Sequence, residues 1–283
     1  MGILSIQSSV AYGHAGNSAA VFPLQRLGRE VWPVITVHFS NHTGYDAWRG
    51  PLLSAADVAE VILGIEERGV LEECEAVLSG YQGAEDVGAV ILDAVATVKR
   101  HNPGAIYCCD PVMGDVGRGM FVRPGIPEFM RDRVVPAADV VTPNHFELDY
   151  LTGAPSSTST ELLAAADRLR SQGPSVVLVT SALLEDTPPD ALDLVVVGEP
   201  GAWRTRTPRL ALGPNGAGDL TTAVFLANLL DGRPLDVALA RTTSSVFAVI
   251  EATRDAGTRE LQIVAAQDRL ATPRLEFEAV RLR

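Results

Sequence analysis

The feature that most constrains this chain is its rhythm. Strand-length apolar runs alternate with longer stretches of helical spacing along most of its 283 residues. ILSIQS (3–8), VWPVITV (31–37), EAVLSGY (75–81), AIYCCDP (105–111), ADVVTP (138–143) and SVVLVTS (175–181) read as strands. Helical spacing covers 15–28, 54–69, 84–100, 159–173, 216–232 and 234–257, with Ser54 suited to an N-cap. Residues 191–198 and 202–208 read as a hairpin, and 275–282 as strand-like. Strands that are apolar throughout belong to a sheet buried on both faces. The expected fold class is therefore α/β: a three-layer sandwich with a mostly parallel central sheet flanked by helices on both faces. No long Pro/Ser linker and no internal repeat divides residues 1–283, so one domain is expected.

Composition removes several classes of function. Apolar residues make up 47 % and charged residues 20 %, enough to build a large core. The net charge of −12 argues against a broad nucleic-acid surface or an anionic membrane surface. Cys74, Cys108 and Cys109 give no disulfide framework and no CxxC pair, which suits a reducing, cytoplasmic setting. No apolar stretch reaches the ~18 residues of a membrane span, and the first residues lack the basic flank of a signal peptide.

In sheets of this class, ligands bind outside the carboxyl ends of the strands. The polar residues that end the apolar runs are Ser8, Tyr81, Asp110, Thr142, Asn144 and Thr180. There is no GxxxxGK[ST] loop, no GxGxxG after the first strand and no GxSxG elbow. The strongest local signal is GPNGAGDLTTA (213–223). Gly216 and Gly218 let main-chain amides approach an anion with no Cβ in the way, at the positive end of a helix. Asp219 in the first turn could take a proton from an attacking hydroxyl. The same pattern also describes an ordinary helix start.

Asp110-Pro111 ends a strand with an acid, a natural place for a carboxylate associated with Mg2+. Asn144 can cap a helix with Glu147 at N3, a capping box variant. Glu147 could alternatively face the same cation through water. Residues 114–125 are glycine-rich, carry two arginines, and could cover a phosphate. His38 and His42 have the i, i+4 spacing of a zinc pair, but Asn-His-Thr-Gly is not helical. A substrate-covering loop with His42 and Thr43 as polar contacts fits better.

Taken together, IQSSVAYGHAGNSAAVFPLQRLG, VHFSNHTGYDAWRG, VLSGYQG, CDPVMG, the Thr-Pro-Asn…Glu stretch and NGAGD resemble, in this order, the pyridoxal kinases of the ribokinase-like superfamily. The resemblance implies ATP-dependent phosphorylation of the 5′-hydroxymethyl group of pyridoxal, the vitamer salvaged to pyridoxal 5′-phosphate. It implies Asp219 as catalytic base, with the amides of Gly216, Ala217 and Gly218 as the anion hole. Ser8, His42, Thr43 and Tyr81 would hold the substrate. Asp110 and Glu147 would organise Mg2+. Thr142, Asn144, Thr180, Asn215, Gly216 and Gly218, with Asp110 and Glu147, would line the ATP side. A K+ ion near Thr142 and a homodimer are further implications. The chain departs from the pattern in places: Ala217 stands where many members of the superfamily have Thr, Thr180 where some bacterial members have Lys, residues 182–190 are short and acidic for an adenine-side loop, and Val10 offers no polar contact. A hydroxymethylpyrimidine-type kinase of the same fold, or a weakly active B6-binding protein, are the alternatives.

Overall fold

A computed structural model describes all residues, Met1–Arg283. Strand β1 (Gly2–Val10) leads through α1 (Asn17–Arg26) to β2 (Glu30–Phe39). Next come α2 (Ala55–Glu66), β3 (Cys74–Ser79), α3 (Glu85–His101) and β4 (Ile106–Cys109). A two-stranded ribbon, β5 (Gly114–Asp115) and β6 (Gly119–Met120), precedes α4 (Ile126–Phe129), a π turn at Met130–Val134 and α5 (Val135–Ala137). Then follow β7 (Val140–Val141), α6 (His145–Thr152), α7 (Ser159–Arg170), β8 (Val176–Ala182), β9 (Ala191–Gly198) and β10 (Gly201–Pro208). The chain closes with α8 (Ala217–Leu230), α9 (Leu235–Asp255), α10 (Gln267–Ala271) and β11 (Val280–Arg281).

The main sheet has nine strands in the order β11-β10-β9-β8-β7-β4-β3-β1-β2. Neighbours from β2 to β8 pair in parallel, and β9, β10 and β11 extend the sheet in antiparallel fashion. The fold class expected from the sequence is therefore the one observed. Alternate residues of each strand serve opposite faces. Leu4, Ile6, Val77 and Cys109 pack with α2, α3, α6 and α7, while Ile3, Ala76, Leu78 and Cys108 pack with α1, α8 and α9. Helix α8 is buried continuously from Leu220 to Asn228, because the sheet lies on one side of it and α9 and α10 on the other. That double burial explains an apolar sequence with no polar face.

Several boundaries differ from the expectations. The strand expected at 138–143 pairs only at Val140–Val141, since Pro143 ends the ladder and Asn144 turns into α6. Only Val280–Arg281 of 275–282 is paired. The helical segment between Ile126 and Ala137 was not expected. Pro127 and Pro136 break its pattern, yet both sit in first turns, where no amide donor is needed.

The first crossover is pinned by one buried residue. Asn17 donates to the carbonyls of Ser5, Gln7 and Val34 at 3.4, 3.3 and 3.0 Å and accepts from Ser5 Oγ at 2.7 Å. The ladder between β1 and β2 shifts register between Gln7 and Ser9, and the Asn17 amide supplies donors where the strands part. Ser8 and Ser9 are thereby delivered to the carboxyl edge, where β1 has β2 on one side and β3 on the other.

Candidate active site

That edge is the topological switch point, and chain segments converge on it from the ends of several strands and the starts of α1, α6 and α8. Helices α1 and α8 both begin there on a glycine with positive φ, Gly16 at 56° and Gly216 at 83°, and neither has a side-chain cap. In α1 the amides of Ser18 and Ala19 close onto the Ala15 and Gly16 carbonyls, whereas those of Ala217 and Gly218 in α8 are left for an outside acceptor. Glycine is required at both. A Cβ on Gly216 would stand 2.0 Å from the His14 carbonyl oxygen, and one on Gly16 2.1 Å from that of Ser8. The loops 11–16 and 213–219 thus interlock through their backbones.

Asp219, half-buried in the first turn of α8, faces this junction. Burial pushes its carboxyl up to about 6, against the pull of the amides of Gly16 and of Asp219 itself. A carboxyl in that range is ionised at neutral pH yet basic enough to accept a proton. A Cβ on Gly218 would lie 3.6 Å from Oδ2 of Asp110, so the carboxyl that follows β4 lies beside the anion loop. Asp110 is also bonded by Thr222, whose hydroxyl lies 2.7 Å from that of Thr142. Burial first, then the carboxyls of Glu147 and Asp219, raise Asp110 well above the usual range.

Glu147 completes the acidic group from the start of α6. Its Oε1 accepts from the amides of Met113 at 2.8 Å and Gly114 at 3.4 Å, and its Oε2 from that of Asn144 at 2.9 Å. Burial drives it up to about 8 against those amides. Three N–H groups aim at Glu147, whereas only the Thr222 hydroxyl opposes the burial of Asp110, so Asp110 is the acid that burial favours in its protonated form. The capping box expected around Asn144 is present in full. Asn144 caps α6 through Oδ1 and donates from Nδ2 to the Gly114 carbonyl at 2.7 Å. Asn144 and Glu147 together root the ribbon β5–β6 beside Asp110.

The substrate-side candidates lie on the neighbouring loops. Ser8 Oγ would be 2.5 Å from a Cβ on Gly16, so it lies against the α1 N-terminus. Tyr81 is half-buried; burial raises its phenol and Arg123 lowers it. His42 accepts from the Gly44 amide at 2.9 Å, and burial, then Arg118, hold its pKa down. Arg118 and Arg123 both belong to the glycine-rich segment, which therefore borders the candidate substrate residues. A Cβ on Gly44 would be 3.3 Å from Oδ1 of Asn215, which joins the 42–45 loop to the anion loop. Thr43 is exposed on that loop. His38 is exposed on β2, and no His, Cys, Asp or Glu group is arranged to hold a metal by itself.

Two residues were invisible to pattern reading. Glu260, 6 % exposed, accepts from the Tyr45 hydroxyl at 2.6 Å and from the His14 amide at 3.1 Å, and so ties the loop after β1 to the 42–45 loop. It lies far along the chain from both, and no sequence signal marks it. Ser181 has the single positive φ outside glycine, 51°, inside the register shift between Val179 and Ala182. Thr180, beside it, donates its amide to the Pro143 carbonyl at 2.9 Å and sits at the same edge as Asn144.

Similarity to known proteins gives the family. Residues 62–263 match the phosphomethylpyrimidine kinase family profile. The pyridoxal kinase PdxY of Rubrobacter xylanophilus is 59 % identical over 283 residues, covering 100 % of this chain and 98 % of that one. The PdxY of Leifsonia xyli is 54 % identical over 282 residues, with 100 % of both chains covered. The pyridoxal kinase of Leishmania donovani, solved with ADP and pyridoxamine, superposes with a TM-score of 0.91 at 28 % identity over 99 % of each chain. With Asp219, its glycines and the acidic pair gathered at one sheet edge, the chain belongs to the pyridoxal kinase family.

Proposed function

We propose that this protein, a single kinase domain over residues 1–283, transfers the γ-phosphoryl group of ATP to the 5′-hydroxymethyl group of pyridoxal. The observation that carries the reading is the placement of Asp219, its carboxyl pushed up to about 6, at the uncapped N-terminus of α8. Asp219 accepts the proton of the 5′-hydroxyl. That oxygen bonds to the γ-phosphorus as the bond to the β,γ-bridging oxygen breaks, and ADP leaves. The amides of Gly216, Ala217 and Gly218 stabilise the charge on the transferring group, which is where catalysis of phosphoryl transfer largely lies. Ser8, His42, Thr43 and Tyr81 orient the ring, and Thr142, Thr180 and Asn215 face the nucleotide. Ala217 offers only its amide, so the hydroxyl a Thr would bring is absent.

The residues fit Mg2+. Asp110, Glu147 and Asp219 are packed together with no basic side chain beside Asp110, so a bound cation would favour its ionised form. Asp110 would hold the ion directly and Glu147 through water, since both Glu147 oxygens already accept amides. When bound, Mg2+ would neutralise phosphate charge. A K+ ion belongs to the same reading, near the paired hydroxyls of Thr142 and Thr222. A homodimer and a cytoplasmic location complete it. No helix is long and apolar enough to cross a membrane.

The test is formation of pyridoxal 5′-phosphate by purified protein with ATP, compared across the B6 vitamers and hydroxymethylpyrimidine. The family profile favours hydroxymethylpyrimidine as the second substrate to assay. Failure to turn over any B6 vitamer overturns the reading.

A further inference from the structure

At the opposite end of α8 from Asp219, a cavity of about 300 Å3 opens between the ends of α1, α8 and α10 and the start of α9. Three guanidinium groups line it, those of Arg26, Arg233 and Arg241, with Asn228, Asp231 and Thr272 beside them. Their counter-charges do not match. Asp231 is shared: one oxygen accepts from Arg29 and the other from Arg233 at 3.0 Å. Arg26 meets only Asp268, at 2.7 Å on the exposed rim, where an ion pair is worth little. Arg241 has no carboxylate partner, and its Nε donates to the neutral Oδ1 of Asn228 at 3.2 Å. Burial first, and then the charge of Arg233, hold the Arg241 pKa below its ordinary value. The Nε of Arg233 is buried with no acceptor at all.

An unpaired buried guanidinium N–H is costly, and three cations around one cavity repel each other. Helix carboxyl ends converge here, and their partial negative charge favours arginine nearby. They supply no acceptor to Arg233 Nε. Nor does the overall charge account for the cluster, because the chain is strongly acidic. What satisfies the arrangement is a compact polyanion able to accept from several guanidinium forks, and phosphate oxygens match that geometry. We propose that this cavity binds a phosphate group at a site separate from the catalytic crevice. The occupant is either free phosphate or the phosphate of a phosphorylated vitamer.

The experiment fills the crevice first, with pyridoxal and a non-hydrolysable ATP analogue, then titrates inorganic phosphate by calorimetry. Wild-type protein should still bind phosphate. Arg233→Gln and Arg241→Gln should each weaken binding about tenfold. Arg26→Gln should weaken it less, because Arg26 is already paired with Asp268, and it keeps the test open if the other two variants do not fold. None of the three should alter turnover in the absence of phosphate. A parallel titration with pyridoxal 5′-phosphate separates the sources: tighter binding identifies the phosphorylated vitamer, equal binding free phosphate. Absence of phosphate binding with the crevice filled overturns the proposal, as does unchanged affinity in folded Arg233 and Arg241 variants.

Discussion

At the scale of single residues, the chemistry rests on how burial reshapes three acids. Asp219→Ala removes the base, and general base catalysis is worth roughly 10²–10⁴-fold, so kcat should fall by that order while pyridoxal still binds. Turnover near wild type, measured under saturating ATP, would remove Asp219 from the mechanism. The base must be ionised, so kcat/KM should drop as pH falls through about 6, with an apparent pKa belonging to the coupled acids as a group. Asp110 makes the opposite bargain with stability. Its folded pKa is raised, so it costs stability above its unfolded value, and the cost grows as pH rises toward the folded pKa. Asp110→Asn should therefore melt higher than wild type without ligand, by about 1 kcal/mol, while losing activity. The gain should be larger near pH 8 than near pH 5 in thermal melts at ~0.1 M salt. A variant that melts lower than wild type at both pH values contradicts the account of Asp110.

At the scale of elements, the site depends on backbones that meet without side chains between them. Gly216 carries φ of 83° with the His14 carbonyl where a Cβ would go. Gly216→Ala should cost about 2 kcal/mol or more and displace the start of α8, lowering both melting temperature and kcat. A variant with wild-type melting and turnover would show that the two loops need not interlock. Glu260, just beyond α9, acts on the substrate side by holding Tyr45 and the His14 amide. Glu260→Ala should raise KM for pyridoxal several-fold with a smaller change in kcat, because it loosens ground-state positioning and leaves Asp219 in place. A fall in kcat with unchanged KM, in steady-state assays, would place Glu260 elsewhere in the cycle.

At the scale of the whole molecule, an acidic protein binds a polyanion by local means. The uncapped start of α8 supplies directed amides, and the acids beside it suit a cation, so the net charge of −12 is no obstacle. Much of this was legible in the chain. Ser8, Tyr81 and Asp110 stand out because they end apolar runs, and Asn144 with Glu147 because a capping box has a fixed spacing. The helical path from Ile126 to Ala137 was not legible, since prolines in first turns look like interruptions. Glu260 and Ser181 were not legible either, because one acts across a great sequence distance and the other through a backbone angle.

The sequence alone determined the layers, the sheet edge proposed for the chemistry and the residues that could perform it. These follow from periodicity, turn chemistry and motif order, which are local properties of a chain. Only the tertiary structure decided which acid carries the charge, why Gly216 must be glycine, and that Arg26, Arg233 and Arg241 face one cavity. Desolvation, close approach and electrostatic fields are set by neighbours drawn from distant segments, and those neighbours exist only once the chain has folded.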